Sequence, residues 1–239
     1  MRNKFILLFV ASLCLFSNSN AQSKWYLGLS AATCAAKTAT ADTLANNFTT
    51  RNRWGAAFNL GGYYEMNRVS SIHFGVGIIN KGYKINNDTL SLNNYVNSSI
   101  TALNANLGLS FKQRFGGSMY IMEKIGGVIN YNQSPSTVRD TFYNATSKPT
   151  FRIIQTETNK WYPMIYLGFV MGGSNERGDR YEFNITYQQS LSTSHELQVQ
   201  TGEFYSKAFP LNFRGGNLQI GIAYYFNLGN IKKNEEYYY

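Results

Sequence analysis

The chain's 239 residues include 22 Lys and Arg against 13 Asp and Glu, with 18 Tyr, 16 Phe and 21 Gly but only 4 Pro. No stretch beyond the N-terminus holds 18 consecutive apolar residues, which excludes spanning helices, and two cysteines are too few for a disulfide-stapled small domain. Abundant aromatics and glycine with few charges suit strands that are apolar on one face only.

The N-terminus reads as an export signal. Arg2 and Lys4 precede an apolar run from Phe5 to Phe16, and Ser19 and Ala21 put small residues where a signal peptidase cuts. Residues 1–21 are therefore expected to be removed. Leu13 is too large for a lipoprotein cleavage site before Cys14, so the expected mature chain keeps a single cysteine, Cys34, with basic residues exceeding acidic ones by seven. An exported basic chain is expected to meet anionic lipid or lipopolysaccharide phosphate rather than nucleic acid.

From there the pattern is period-2 alternation, expected to form eight strands. Trp25–Thr33 comes first, then a long loop at 34–52, the strand Arg53–Glu65 and a tight turn at Met66–Val69. The third strand sets Ile72, Phe74, Val76 and Ile78 against His73, Gly75, Gly77 and Ile79. A long loop at 85–98 leads to a strand with Leu103, Ala105, Leu107, Leu109 and Phe111 on one face. After a tight turn at Phe115–Gly117 comes Ser118–Tyr131, then a long loop at 132–159, the strand Lys160–Gly173 and a short turn at Ser174–Asp179. Tyr181, Phe183, Ile185 and Tyr187 mark the seventh strand, 191–213 is the last long loop, and Leu218–Asn227 closes the series.

Strands of about 9–15 residues fit a tilted crossing of a bilayer, and the alternation of short and long connections is that of outer-membrane barrels. The expectation is all-β: an eight-stranded antiparallel up-and-down transmembrane β-barrel with short periplasmic turns, long extracellular loops and both termini periplasmic. Residues 22–228 form one domain and 229–239 a short periplasmic tail. A soluble lipocalin-like barrel alternates too, but with apolar residues inward. Here the polar face is rich in Gly, Asn, Ser and Gln rather than Lys and Glu, and aromatics such as Trp25, Trp54, Tyr64, Trp161, Tyr181, Tyr224 and Phe226 collect at strand ends. The strand 118–131 fits worst, because adjacent Glu123 and Lys124 cannot both face the lumen. Either a bulge intervenes or Glu123 sits near the periplasmic interface.

The segment Phe74-Gly75-Val76-Gly77-Ile78-Ile79-Asn80-Lys81-Gly82-Tyr83, the pair Leu103–Phe111 and Tyr120–Tyr131, and the closing Gly221-Ile222-Ala223-Tyr224-Tyr225-Phe226-Asn227-Leu228 together resemble the PorT-like outer-membrane β-barrel family of Bacteroidota. The resemblance implies an eight-stranded barrel and a role near the secretion or gliding apparatus. It supplies no catalytic residues.

Glu65, Lys112, Arg114, Lys124, Arg180 and Glu182 are expected to form a lumen charge network toward the periplasmic end, a plug rather than an ion path, because eight strands leave an interior that side chains fill. Ser192, Ser194, His195 and Glu196 are the sole grouping resembling a hydrolytic set, but neighbours in one loop do not preorganise a triad. Two separated histidines and no Asp-rich calcium loop point to no metal, and no cofactor motif is present. Arg51, Arg53, Arg152, Lys160, Phe204, Tyr205 and Phe209 are candidates for lipopolysaccharide or partner contact. The expected function is non-enzymatic, a scaffold or interaction component of the envelope acting through the loops. A lipid A-modifying enzyme and a periplasmic binding protein are the alternatives.

Overall fold

The computed structural model describes residues 24–36, 48–87, 95–115, 118–133, 137–143, 149–201, 207–213 and 216–230. The expected export signal, the tail beyond Asn230, and Phe204 and Tyr205 lie outside them. Twelve strands follow in chain order: β1 Lys24–Ala36, β2 Phe48–Glu65, β3 Ser70–Asn87, β4 Tyr95–Arg114, β5 Met119–Asn132, β6 Thr137–Tyr143, β7 Pro149–Glu157, β8 Trp161–Ser174, β9 Arg180–Ser190, β10 His195–Thr201, β11 Lys207–Phe213 and β12 Asn217–Asn227. Eight of them close a barrel in the order β1-β12-β9-β8-β5-β4-β3-β2, every pair antiparallel.

Side-chain direction follows the pleat. In β1, Tyr26 and Gly28 are buried while Trp25, Leu27 and Leu29 are exposed. In β12, Gln219, Ala223 and Tyr225 point inward while Leu218, Ile222, Tyr224 and Phe226 point out. Leu29, Leu107, Leu167 and Ile222 are each at least 60% exposed. An apolar belt of this extent is unstable in water and stable in hydrocarbon, whereas a lipocalin-type barrel has the opposite polarity. Aromatics bound the belt: Trp25 stacks on Tyr64 at 4.7 Å near the turns, and Tyr131 on Trp161 at 4.6 Å near the loops. From Tyr64 to Trp54 along β2, ten steps of about 3.4 Å on a tilted strand rise about 25 Å, the height of a barrel's apolar band. The chain is therefore a bilayer-spanning β-barrel of the outer-membrane type.

Both ends of the barrel domain, Lys24 and Asn227, lie at the end with the short turns. One of those turns is pinned by Asp179, whose carboxylate accepts from Asn227 N at 2.9 Å and from the Tyr224 hydroxyl at 3.0 Å, latching the β8–β9 turn to the end of β12. These hydrogen bonds, the one from Asn227 first, hold the Asp179 carboxyl below its ordinary pKa.

Three sequence expectations change. The strands are longer than the alternation suggested: β1 and β2 take in residues 34–36 and 48–52 of the first expected loop, and β3 and β4 take in 85–87 and 95–98 of the second. Segments 132–159 and 191–213 are not loops: they contain β6, β7, β10 and β11, which pair as a second sheet in the order β11-β10-β7-β6. And β5 keeps an unbroken register against both neighbours, so there is no bulge; Lys124 faces the lumen and Glu123 faces out, between Phe111 and Phe169 and four residues from the turn-end start of the strand. A bulge does occur elsewhere, in β2 between Arg53 and Ala56, where a Cβ on Gly55 would come within 1.9 Å of the Asn80 carbonyl.

The second sheet continues the wall of the barrel. β8 becomes β7 across residues 158–160, β9 becomes β10 across 191–194, and β12 follows β11 across 214–216. Neighbours are preserved: Tyr131↔Trp161 of β5–β8 is succeeded by Thr137↔Thr156 of β6–β7, Met164↔Ser190 by Glu157↔His195, and Asn217↔Gln188 by His195↔Phe213. On the opposite side β2, β3 and β4 reach the same region by their own length of 18 to 20 residues.

Candidate functional site

Three layers fill the barrel. Nearest the turns, Glu65 forms ion pairs with both Lys112 and Arg180. Glu182, 3% exposed, accepts from the Tyr63 hydroxyl at 2.9 Å, the Tyr120 hydroxyl at 3.0 Å and Lys124 Nζ at 3.3 Å. The Arg180 guanidinium lies 3.8 Å from the centre of the Tyr26 ring, and Tyr63 packs edge-on against Tyr225 at 4.8 Å. Two carboxylates, three cations and four tyrosines thus occupy one cross-section. This is electrostatic sense: buried charge is tolerable when each group has partners, and aromatic faces supply the rest for the guanidinium. Five of the six expected network residues meet here. The sixth, Arg114, shares their face of β4 but is exposed at the turn end, because β4 runs past the rim of the packed layer.

Above it is a polar chamber of about 100 Å³, edged by Ser30, Asn59, Asn104, Asn106, Asn184, Gln219, Lys124 and His73. Its walls owe their shape to small residues. Tyr166 lies across Gly108 and Gly126, and a Cβ on either would fall within 2.5 Å of its hydroxyl. The same hydroxyl hydrogen-bonds His73 Nε2. Asn59 Oδ1 and His73 Nδ1 are buried with no hydrogen-bond partner among the described residues, so the chamber is suited to ordered water.

Toward the loop end the filling turns apolar. Cys34, Ala57, Ile79 and Ala102 form one cluster and Val128, Tyr162, Met164 and Tyr166 another. Cys34 is a free thiol that donates to the Asn80 carbonyl at 2.9 Å. Lys81, wholly buried, holds its ammonium 5.0 Å from the centre of the Tyr162 ring.

Where the wall meets the second sheet, Ser194 and His195 are both fully buried, with Ser194 Oγ 3.2 Å from His195 Nδ1. Burial first, and the Lys81 charge second, hold the imidazole down to about 4. A serine and a histidine therefore do stand within hydrogen-bond reach, contrary to a flexible-loop expectation, but no face of either is open to a substrate. Strand pairing on both sides of His195 fixes them. Among the described residues there is no cluster of metal-ligating side chains.

The expected contact residues do not converge. Arg51 lies opposite Lys84 on β2–β3, and Arg53 is exposed beside Trp54. Arg152 is on β7, with Nε donating to Gln200 at 3.1 Å. Lys160 stands at the junction with its ammonium 5.0 Å from the Tyr131 ring centre, next to Trp161. Phe209 is in β11 opposite Val199. Short strands set off from the barrel strands by three or four residues read as polar loops in the sequence; the alternation of Leu197 and Val199 with Gln198 and Gln200 is the signal that marks them.

No protein-family model matches the chain, and no curated protein does. Solved structures are similar in shape. OprG from Pseudomonas aeruginosa is 11% identical with a TM-score of 0.42, covering 88% of this chain and 99% of its own. AlkL, solved in DMPC lipid bilayers, is 14% identical at 0.42, covering 89% and 94%. Ail of Yersinia pestis, in complex with the heparin analogue sucrose octasulfate, is 11% identical at 0.40, covering 86% and 100%. The barrel of this chain stands on its own strand pairing and belt.

Proposed function

We propose that this chain is a non-enzymatic barrel of the outer membrane that presents a fixed external wall to other envelope components. The observation that carries this reading is the continuation of β5, β8, β9 and β12 into β6, β7, β10 and β11 with the same neighbours. Paired strands hold a surface of constant shape, which a binding platform needs and a set of unpaired loops does not provide. The packed ionic layer fits a closed lumen better than a solute path, and the burial of Ser194 and His195 fits a structural role better than catalysis. The likeness to PorT-like barrels makes the secretion or gliding apparatus the assembly in which to look for partners. Arg53 and Lys160, each exposed beside a tryptophan at the aromatic boundary, would meet lipopolysaccharide phosphates at the outer leaflet in this reading.

The test is to replace residues 134–157 and 192–215 with short turns. The shortened barrel should still migrate as a folded, heat-modifiable species but lose its envelope partners on mild extraction. Retained co-purification would overturn the reading. His195→Ala with lipid A mass spectrometry separates it from a lipid-modifying enzyme, for which the lipid profile would change.

A further inference from the structure

At three junctions the pairing of the barrel runs on into the second sheet; at the other two, β12–β1 and β4–β5, it stops. The pairing of β4 with β5 stops at Ala102↔Asn132, yet β4 extends outward beyond Thr101 from Ile100 to Tyr95, paired with β3 alone among the described residues. Across from it β6 pairs with β7 alone and ends the second sheet. The two strands leave a common base, where Gln133 N donates to the Thr101 carbonyl at 2.8 Å, and beyond that base no pairing joins them among the described residues. Residues 95–100 and 137–143 are thus two edges of six and seven residues that no pairing joins among the described residues. They run antiparallel, since β4 descends toward the membrane and β6 continues the ascent of β5.

An edge strand offers a row of unsatisfied N–H and C=O groups, and proteins usually block such rows with proline or charge. The far edge of the same sheet is blocked: β11 carries Pro210, which has no N–H. The edges at this gap are not. Neither contains proline, and their charged residues are Arg139 and Asp140, which cancel. Residues that favour pairing stand in both: Tyr95, Val96 and Ile100 in β4, and Thr137, Val138, Thr141, Phe142 and Tyr143 in β6. The gap also lies beyond the aromatic boundary set by Tyr131 and Trp161, in water or headgroups, where open backbone is tolerated and peptides have access.

We infer that this gap is a strand-acceptor slot, filled by an extended segment of about seven residues and no net charge from a partner polypeptide that hydrogen-bonds β4 on one side and β6 on the other, antiparallel to one edge and parallel to the other. The inference rests on the platform reading and names the chemistry of what the platform takes. Backbone bonds to two edges give affinity, and alternate side chains of the guest, facing the lumen mouth or the outside, give selectivity.

The test uses the full-length protein in lipid nanodiscs and, as probe, a labelled peptide copying Thr137–Tyr143, a strand that an open β4 edge can accept. Without peptide, amides in 95–100 and 137–143 should exchange quickly at alternate positions. With saturating peptide both stretches should slow about tenfold or more while Lys207–Phe213 is unchanged. Protection of both edges before peptide is added, in a monomer or a dimer by native mass, would mean that the seam zips on itself or on a second copy, and would overturn the slot. So would protection of one edge alone, or absence of saturable binding. Such failures leave the platform intact if deletion of the wall still removes the partners; the reverse pattern removes the platform and keeps the slot.

Discussion

The two ends of this barrel are held by different forces. At the turn end the cross-section is closed by side chains, with Glu65 and Glu182 shared among Lys112, Arg180, Lys124 and three tyrosine hydroxyls. At the loop end the wall is held by backbone pairing between strands whose sequences look like polar loops. Side-chain closure depends on the identity of each residue, while backbone closure tolerates substitution as long as the ladder persists. The turn end should therefore be brittle to point mutation and the outer wall forgiving, which the proposed platform role requires.

The strongest way to break that contrast is at Glu65. Glu65→Ala leaves Lys112 and Arg180 buried without their carboxylate, and stability should fall by about 3–5 kcal/mol, read as a lower urea midpoint for the folded gel species. A change as small as that of a surface pair would sink the argument. The next effect is in the outer wall and depends on pH. His195 is held at about 4, below an ordinary value near 6.5, so the unfolded wall binds the extra proton and acid works against the folded one. Its contribution is complete above pH 6.5 and lost progressively as pH falls toward 4, up to roughly 3 kcal/mol before relaxation. Hydrogen exchange of β7 and β10 should quicken over that interval, and His195→Gln should flatten the dependence.

Smaller still is the latch at Asp179. Its depressed carboxyl pKa means that the contribution is present above the ordinary carboxylate value and lost as pH falls through the folded one. Asp179→Ala should loosen Asn227 and the residues after it, seen as faster exchange there, with little change in the global midpoint because the group is near the surface. The smallest effect has the opposite sign. Glu123 faces lipid near the turn end, so Glu123→Leu should be neutral or stabilising by up to about 1 kcal/mol. Clear destabilisation would show that the outward register of Glu123 is wrong.

The barrel was legible in the sequence because lipid on one side and a packed lumen on the other force a strict two-residue period, as in Leu218–Asn227. The meeting of Glu65 with Arg180, 115 positions apart, was legible only as a shared face and depth; that Arg114 escapes the layer depends on where β4 crosses the rim, which periodicity does not encode. The second sheet was hidden for a related reason. Outside the membrane neither face of a strand must be apolar, so β6, β7, β10 and β11 alternate over fewer residues than the other eight, as Leu197 and Val199 do against Gln198 and Gln200.

The aromatic rings at Trp25–Tyr64 and at Trp54 set a hydrophobic height of about 25 Å, less than the roughly 30 Å of a typical bilayer core. A lone helix meets such a mismatch by moving, but a closed barrel packed through its interior is stiff, and the lipid around it must thin instead. The cost is shared by every lipid in the annulus. Membranes that are already thin lower it, and two such barrels side by side lower it further by sharing one thinned annulus. The belt alone thus biases where the protein settles and how closely copies crowd, before any partner is recognised.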